Sequence, residues 1–353
     1  MTLPVVVHEL GFQRGSFTLG PVSFEVPAGG RLAVVGPSGS GKTTLLRCLA
    51  GLERPTHGSI TIGAQVVADE RTNVPPDRRG VGLVFQDGAL WSHMTALQHL
   101  QFAAPGLSRD AALALLERGG LAHLAARKPG AMSGGEAQRL GLLRAIAPAP
   151  GVLLLDEPLR SVDVHQRDAL VLLLRTLTDE LGLTSILVTH DRDEALALAT
   201  DLVVLHEGRL VEQGPALQLL RAPQTAFTAA FLAGAACLPT TAAGATRVTT
   251  PFGTFDRPAG VAADLRLVLL PGDATAATPS AANTAAPTGR VLATLPADDG
   301  FVVRVALGDQ IVHARAAEGL PAGATVLLTL RRPVRLLPWD RGASAPPAAA
   351  EQR

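Results

Sequence analysis

The segment Gly36-Pro37-Ser38-Gly39-Ser40-Gly41-Lys42-Thr43 constrains this chain more than any other, because it fits G-x-x-x-x-G-K-[ST], the phosphate-cradling loop. Its flanks agree with it. Residues 31–35 read as a buried strand, and 44–50 as a helix with an apolar stripe. Strand, glycine loop and helix N-terminus together aim backbone N–H groups and a positive dipole end at an anion. The chain has only two lysines, Lys42 and Lys128, among 31 basic residues. A lysine kept in this loop supplies a compact ammonium, which arginine's planar fork does not replace. The segment predicts binding of a nucleoside triphosphate, with Gly36 to Thr43 and Thr44 around its phosphates.

At 353 residues the chain is long enough for about two domains. Charge is balanced, 31 basic against 31 acidic, which argues against nucleic acid as a partner. Cys48 and Cys237 lie far apart without metal-type spacing, so no disulfide framework is expected and a reducing compartment is the default. The first residues carry no basic segment ahead of an apolar run, so no signal peptide is expected. No apolar run approaches the ~18 residues of a membrane span. The longest, 226–238, reads as an alanine-rich helix ending at Pro239, and no direct membrane insertion is expected.

Residues 1–235 alternate β-branched or leucine runs with helical stretches, the pattern of an α/β domain with a mostly parallel sheet. Runs 81–86, 152–156 and 185–190 read as buried strands. Each ends in a polar residue, at the edge where such sheets place ligands. Little strand pattern appears over about 91–146, which reads as a helical subdomain. A linker follows over 236–247. Residues 248–340 then show short strands at 248–255, 265–270, 289–295, 302–307 and 324–330, the cadence of a small β-barrel. Residues 273–288 read as a mobile loop and 341–353 as a disordered tail, since neither composition can bury a core.

Further motifs follow the phosphate loop in order: Gln86 closing Val-Phe-Gln; Met132-Ser133-Gly134-Gly135-Glu136-Ala137-Gln138-Arg139; 152–158, ending in Asp156-Glu157-Pro158; Asp163; and His190 in Val-Thr-His-Asp. Across 1–235 the chain therefore resembles the ATP-binding subunits of ABC transporters. The fold implied is a P-loop NTPase domain with a helical subdomain, followed by a small all-β, OB-like accessory domain.

The resemblance implies ATP and Mg²⁺ as ligands. Lys42 and the loop backbone would hold the β- and γ-phosphates. Thr43, Asp156 and Gln86 would ligate the metal, a hard cation that takes few protein oxygens. Glu157 would be the general base for the attacking water, and His190 would hold Glu157 and that water in place. Phe12 would stack on adenine, with Phe17 as the alternative. Ser133, Gly134 and Gly135, with Glu136 toward the ribose and Asp163 at the interface, would close over ATP held by a second copy. The implied functional unit is a homodimer. Arg160-Ser161-Val162 departs from the family's usual Ser-Ala-Leu ahead of Asp163.

Residues 74–79, 89–95 and 191–196 resemble bacterial import ATPases of the iron(III), sulfate, molybdate and polyamine branch. That likeness implies two transmembrane permease subunits, docking over 86 to about 102, and a solute-binding protein. It also implies a peripheral place on the cytoplasmic face of the inner membrane. Iron(III) is the leading substrate expectation, ahead of sulfate, molybdate or polyamine. The accessory domain either supports the dimer or senses a ligand, support being the first expectation. A soluble ATPase acting in translation or DNA repair is the alternative, but it would be expected to carry two ATPase halves or large insertions. An exporter subunit is disfavoured by the import-like loops and the β-rich C-terminal region.

Overall fold

The computed structural model describes residues 2–86, 88–160, 162–244, 246–258, 264–279 and 286–340. The expected tail at 341–353 lies outside them. The chain divides into two compact units, 1–216 and 217–353.

The first unit opens with strands β1 (Val5–Arg14) and β2 (Phe17–Val26), then β3 (Arg31–Val35) and helix α1 (Lys42–Ala50). Next come β4 (His57–Ile62), β5 (Gln65–Ala68) and β6 (Val81–Val84). Helices α2 (Ala96–Ala103), α3 (Arg109–Arg118) and α4 (Gly134–Ile146) fill the region read as a helical subdomain. The chain then alternates β7 (Val152–Asp156), α5 (Val164–Glu180), β8 (Thr184–Thr189), α6 (Arg192–Leu198), β9 (Asp201–His206) and β10 (Arg209–Pro215).

Two sheets result, an antiparallel one ordered β2-β1-β4-β5 and a mainly parallel one ordered β10-β9-β3-β8-β7-β6. In the second sheet only β10 runs antiparallel to its neighbour. Strands β3, β7 and β8 each carry a continuous apolar centre, with residues on both faces buried. One core draws Val5, Leu10 and Leu19 from the antiparallel sheet, Leu45 and Leu49 from α1, and Val34, Leu154 and Val188 from the parallel sheet. Each such leucine, fully buried, contributes about 2 kcal/mol.

Register sets the site. Val35 of β3 pairs with Thr189 of β8, and Asp156 of β7 pairs with Val188. Val84 of β6 pairs with Leu155. The residues that follow these strands, Gly36, Glu157, His190 and Gln86, therefore emerge along one edge, at the carboxyl ends of parallel strands. Among the described residues no helix is long and apolar enough to cross a membrane.

The second unit carries α7 (Ala216–Arg221, beginning at the boundary) and α8 (Ala226–Ala233), then strand β11 (Ala236–Pro239). The helix expected over 226–238 stops at Ala233. Gly234 takes the left-handed conformation there (φ 62°) and closes the helix by donating to the Ala229 and Ala230 carbonyls. Strand β11 then leads away from it. The texture change near 235 is thus internal to this unit, whose α8 residues Ala226 and Ala229 pack with Cys237 and Val268.

Strands β12 (Thr241–Ala242), β13 (Arg247–Thr250) and β14 (Gly253–Asp256) form one small sheet, and β11, β15 (Leu265–Leu269) and β21 (Arg335–Pro338) another. Strands β16 (Ala274–Ala277), β17 (Thr288–Ala297), β18 (Gly300–Leu307), β19 (Gln310–Ala316) and β20 (Thr325–Leu330) close into a barrel. The expected β-rich C-terminal domain is present. Within 273–288, however, residues 274–277 form barrel strand β16, with Ala274 and Ala276 in the core. Residues 280–285 of that stretch are outside the described ones.

Candidate functional site

The chain leaves β3 through a loop that only glycine can follow at two points. Gly36 has φ 156°, and a Cβ there would meet the Leu205 carbonyl oxygen at 2.1 Å. Gly41, the N-cap of α1, sits at φ 103° in the left-handed region. The loop therefore feeds directly into α1, whose first N–H groups have no partner within the helix. Lys42 is buried, and its ammonium donates to the Gly36 and Pro37 carbonyls at 2.8 Å each. Ser38 and Gly39, at the loop tip, are exposed. Burial draws the Lys42 ammonium below its ordinary range, while the charges of Glu157 and Asp156 oppose that shift. A phosphate would replace the two carbonyls as the partner of this cation.

Asp156 ends β7, and its Oδ1 accepts from the Thr43 hydroxyl at 3.4 Å. This all-oxygen pair is the donor set a hard divalent cation prefers. Burial pushes the Asp156 carboxyl up, the hydrogen bond from Thr43 opposes, and the Glu157 charge adds to the rise. A bound cation would relieve that pressure.

Glu157 has φ 45°, a left-handed conformation that costs a non-glycine residue about 1–3 kcal/mol. The turn is pinned by its N–H to the Val188 carbonyl at 3.0 Å. Its Oε1 lies 2.9 Å from His190 Nδ1, and its Oε2 accepts from Arg160 at 2.8 Å. Burial would raise the Glu157 carboxyl, but the bonds from His190 and Arg160 outweigh it and hold the group low. Lys42, Thr43, Asp156, Glu157 and His190 are thereby brought together. The arrangement can hold a polyphosphate, a hard cation and a carboxylate–histidine pair suited to orienting a nucleophile.

Gln86 follows β6 at the same edge and is half-buried. The loop after it is braced from α4, where the Arg144 guanidinium donates to the Gly88 carbonyl at 3.2 Å and to the Ala89 carbonyl. The same guanidinium lies 5.1 Å from the Trp91 ring centroid. The Trp91 N–H donates to His99 Nε2 at 2.9 Å. Phe102, 58% exposed, meets the Trp91 ring edge-on. Sequence reasoning named neither Arg144 nor His99.

Ser133 is the N-cap of α4 and closes a capping box with Glu136. Glu136 Oε2 accepts from the Ser133 N–H at 2.7 Å, so the carboxylate expected near a ribose is engaged locally. Ser133 and Gly134 are exposed. Helix α4 packs on α2, α3, α5 and β6, whereas α1 packs on β7 and β8. The N-termini of α1 and α4 therefore belong to helices with different packing partners. Asp163 is exposed just ahead of α5.

Phe12 takes a different place from the one expected. Its ring is 7% exposed and lies in the core, opposite Leu19 in the β1–β2 pairing. Phe17 is half-buried beside the phosphate loop, with its ring tip 3.2 Å from where a Cβ on Gly41 would stand.

Two further braces were not legible in the sequence. Glu194, buried on α6, accepts from the Thr189 hydroxyl at 2.5 Å and from the Leu159 N–H at 3.2 Å, tying the His190 strand to the turn after Glu157. Arg79, 2% exposed, donates to the Cys48 and Leu49 carbonyls at the C-terminus of α1, where a cation is favourable.

Comparison with known proteins gives the following similarities. A family model described as "ABC transporter" matches residues 19–160. An iron(III) import ATP-binding protein, FbpC of Pseudomonas fluorescens, is 46% identical over 222 residues, 62% of this chain and 63% of that protein. The match thus spans somewhat less than two thirds of that relative. A sulfate/thiosulfate import ATP-binding protein, CysA of Mycobacterium bovis, is 38% identical over 340 residues, 94% of this chain and 90% of that protein. Among solved structures, a dimeric post-hydrolysis state of the ATP-binding cassette MJ0796 bound to ADP and Pi superposes with a TM-score of 0.54 at 29% identity. That match covers 60% of this chain and 98% of the other.

Proposed function

The chain belongs to the family of ABC transporter ATP-binding proteins, and from that premise we propose that it is the ATP-hydrolysing subunit of an import system for a small inorganic ion. The observation that carries the reading is the convergence of Lys42, Thr43, Asp156, Glu157 and His190 at the carboxyl ends of adjacent strands, with Glu157 and His190 only 2.9 Å apart. Phosphoryl transfer to water asks a protein mainly to position groups and stabilise charge, and these side chains meet that demand.

In this reading the loop backbone from Gly36 to Thr43, with Thr44, cradles the phosphates, and Lys42 moves from its two carbonyls to the β- and γ-phosphates. Mg²⁺ would be held by Thr43 and Asp156, with Gln86 completing the set, and would neutralise charge on the phosphate oxygens. Glu157 takes the proton of the attacking water. His190 fixes the Glu157 carboxylate through Nδ1, and its Nε2 would be the ring atom to reach the γ-phosphate. Phe17, beside the loop, supplies the ring for adenine in place of the buried Phe12.

Ser133, Gly134 and Gly135 complete the site of a second copy, with Glu136 keeping Ser133 in place and Asp163 at the contact. The similar MJ0796 cassette, solved as a dimer with ADP and Pi, supports this pairing. Two permease subunits dock over the exposed Trp91 and Phe102, and a solute-binding protein delivers the cargo, so the chain sits peripherally on the cytoplasmic face of the membrane. Iron(III) is the leading cargo, with sulfate or thiosulfate next, in keeping with the iron(III) and sulfate/thiosulfate import proteins it is similar to.

Glu157→Gln tests the reading. With Mg·ATP the variant should lose hydrolysis and elute as an ATP-bound dimer in size exclusion. A monomer under these conditions would refute the composite site, and retained hydrolysis would refute Glu157 as the base.

A further inference from the structure

Arg160 closes the turn that follows Glu157, and the mechanism above does not use it. A tight turn closes from Glu157 to Arg160, the Arg160 N–H donating to the Glu157 carbonyl at 3.2 Å. Over that turn the Arg160 guanidinium donates to Glu157 Oε2 at 2.8 Å. With His190 Nδ1 on Oε1 at 2.9 Å, both carboxylate oxygens are occupied by partners. The two ends of the ion pair differ in freedom, since the Glu157 side chain is 13% exposed and that of Arg160 is 54%. The carboxylate is held by a left-handed backbone (φ 45°), whereas the arginine has room to leave.

We propose that Arg160 is a latch on Glu157: it occupies the second carboxylate oxygen and must swing away before that oxygen can receive the proton of the attacking water. A general base acts through an oxygen within hydrogen-bond reach of the water, and an oxygen already accepting from a guanidinium offers that lone pair less readily. Arginine suits a latch because its long stem spans the turn and its charge is permanent. A serine at this position ends one atom beyond Cβ and leaves Oε2 open. Arg160 is thus a positioning residue that acts through Glu157, and its effect is to slow turnover. The inference rests on the reading of Glu157 as the base.

Steady-state hydrolysis of Mg·ATP by the full-length chain tests it, using Arg160→Ser, Arg160→Lys and Glu157→Gln in parallel. Releasing a half-exposed ion pair is expected to raise kcat about two- to five-fold in Arg160→Ser, with KM for ATP unchanged because the latch touches no nucleotide-binding group. Arg160→Lys restores a cation and should return kcat toward the wild-type value. An unchanged or lower kcat in Arg160→Ser would overturn the latch, as would Arg160→Lys running as fast as Arg160→Ser. If Glu157→Gln still hydrolyses ATP, the base assignment itself has failed. If Glu157→Gln is inactive while Arg160→Ser is no faster than wild type, only the latch has failed.

Discussion

Replacing Glu194 with glutamine should flatten the pH dependence of the first unit's stability. Glu194 is 7% exposed. Burial raises its carboxyl from 4.5 to about 7, the hydrogen bonds from Thr189 and Leu159 oppose, and the charges of Asp191 and Glu157 add to the rise. A tenfold change in proton affinity is worth ~1.36 kcal/mol, so the whole displacement is on the order of 3 kcal/mol. The folded state prefers the protonated acid, so the stabilisation is complete below the unfolded value. It is lost progressively as pH rises through the folded one. Integrated from about pH 5 to about pH 8, the loss is roughly 2–3 kcal/mol. Glutamine keeps an acceptor for the Leu159 N–H and cannot ionise. Urea unfolding at several pH values, in a Trp339→Phe background that leaves Trp91 as the one tryptophan, reads the first unit alone. Wild type should weaken relative to Glu194→Gln by that amount across the interval. Parallel profiles for the two proteins would show that Glu194 titrates as an ordinary surface acid and that its burial carries no such cost.

Three other outcomes are expected. Phe17→Ala should raise KM for ATP by about 5- to 150-fold while leaving kcat near wild type, because losing one ring stacked on a base costs about 1–3 kcal/mol of binding. Phe12→Ala should instead lower the melting temperature, by about 3–5 kcal/mol in stability, through the cavity left among Leu10 and Leu19. The thiols of Cys48 and Cys237 are buried and pushed up to about 12 and about 11, so a maleimide should label neither near neutral pH in the native protein. Both should react once guanidinium unfolds the chain.

Strands β3, β7 and β8 were legible because burial on both faces gives each a continuous apolar centre, and each runs straight into a motif. Strand β1 was not, since register shifts between His8 and Gly11 and between Leu10 and Phe12 break its alternation. The run at 248–255 read as one strand, yet residues 251 and 252 turn it into the β13–β14 hairpin. Strand β19 was missed because Gln310, His313 and Arg315 interrupt its apolar residues, and only Val312, Ala314 and Ala316 are buried. The motif residues were readable because their chemistry fixes their spacing. Arg144 and Glu194 were not, because each acts on backbone groups 35 to 56 positions away, a distance at which local pattern carries no information. The pairing of Phe12 with Leu19 and of Arg14 with Phe17 puts both rings on one face of the β1–β2 hairpin, so only the tertiary packing separates Phe12, buried in the core, from Phe17, beside the phosphate loop.

Helix α4 begins at exposed Ser133's cap and, near its other end, grips the carbonyls of Gly88 and Ala89 through Arg144. Thirteen residues at ~1.5 Å each make a rod about 20 Å long, stiffened by its own hydrogen bonds and capped so that it does not fray at the serine. The exposed serine and the segment that leads to Trp91 are thus held by one and the same helix, the first through its cap and the second through the Arg144 guanidinium.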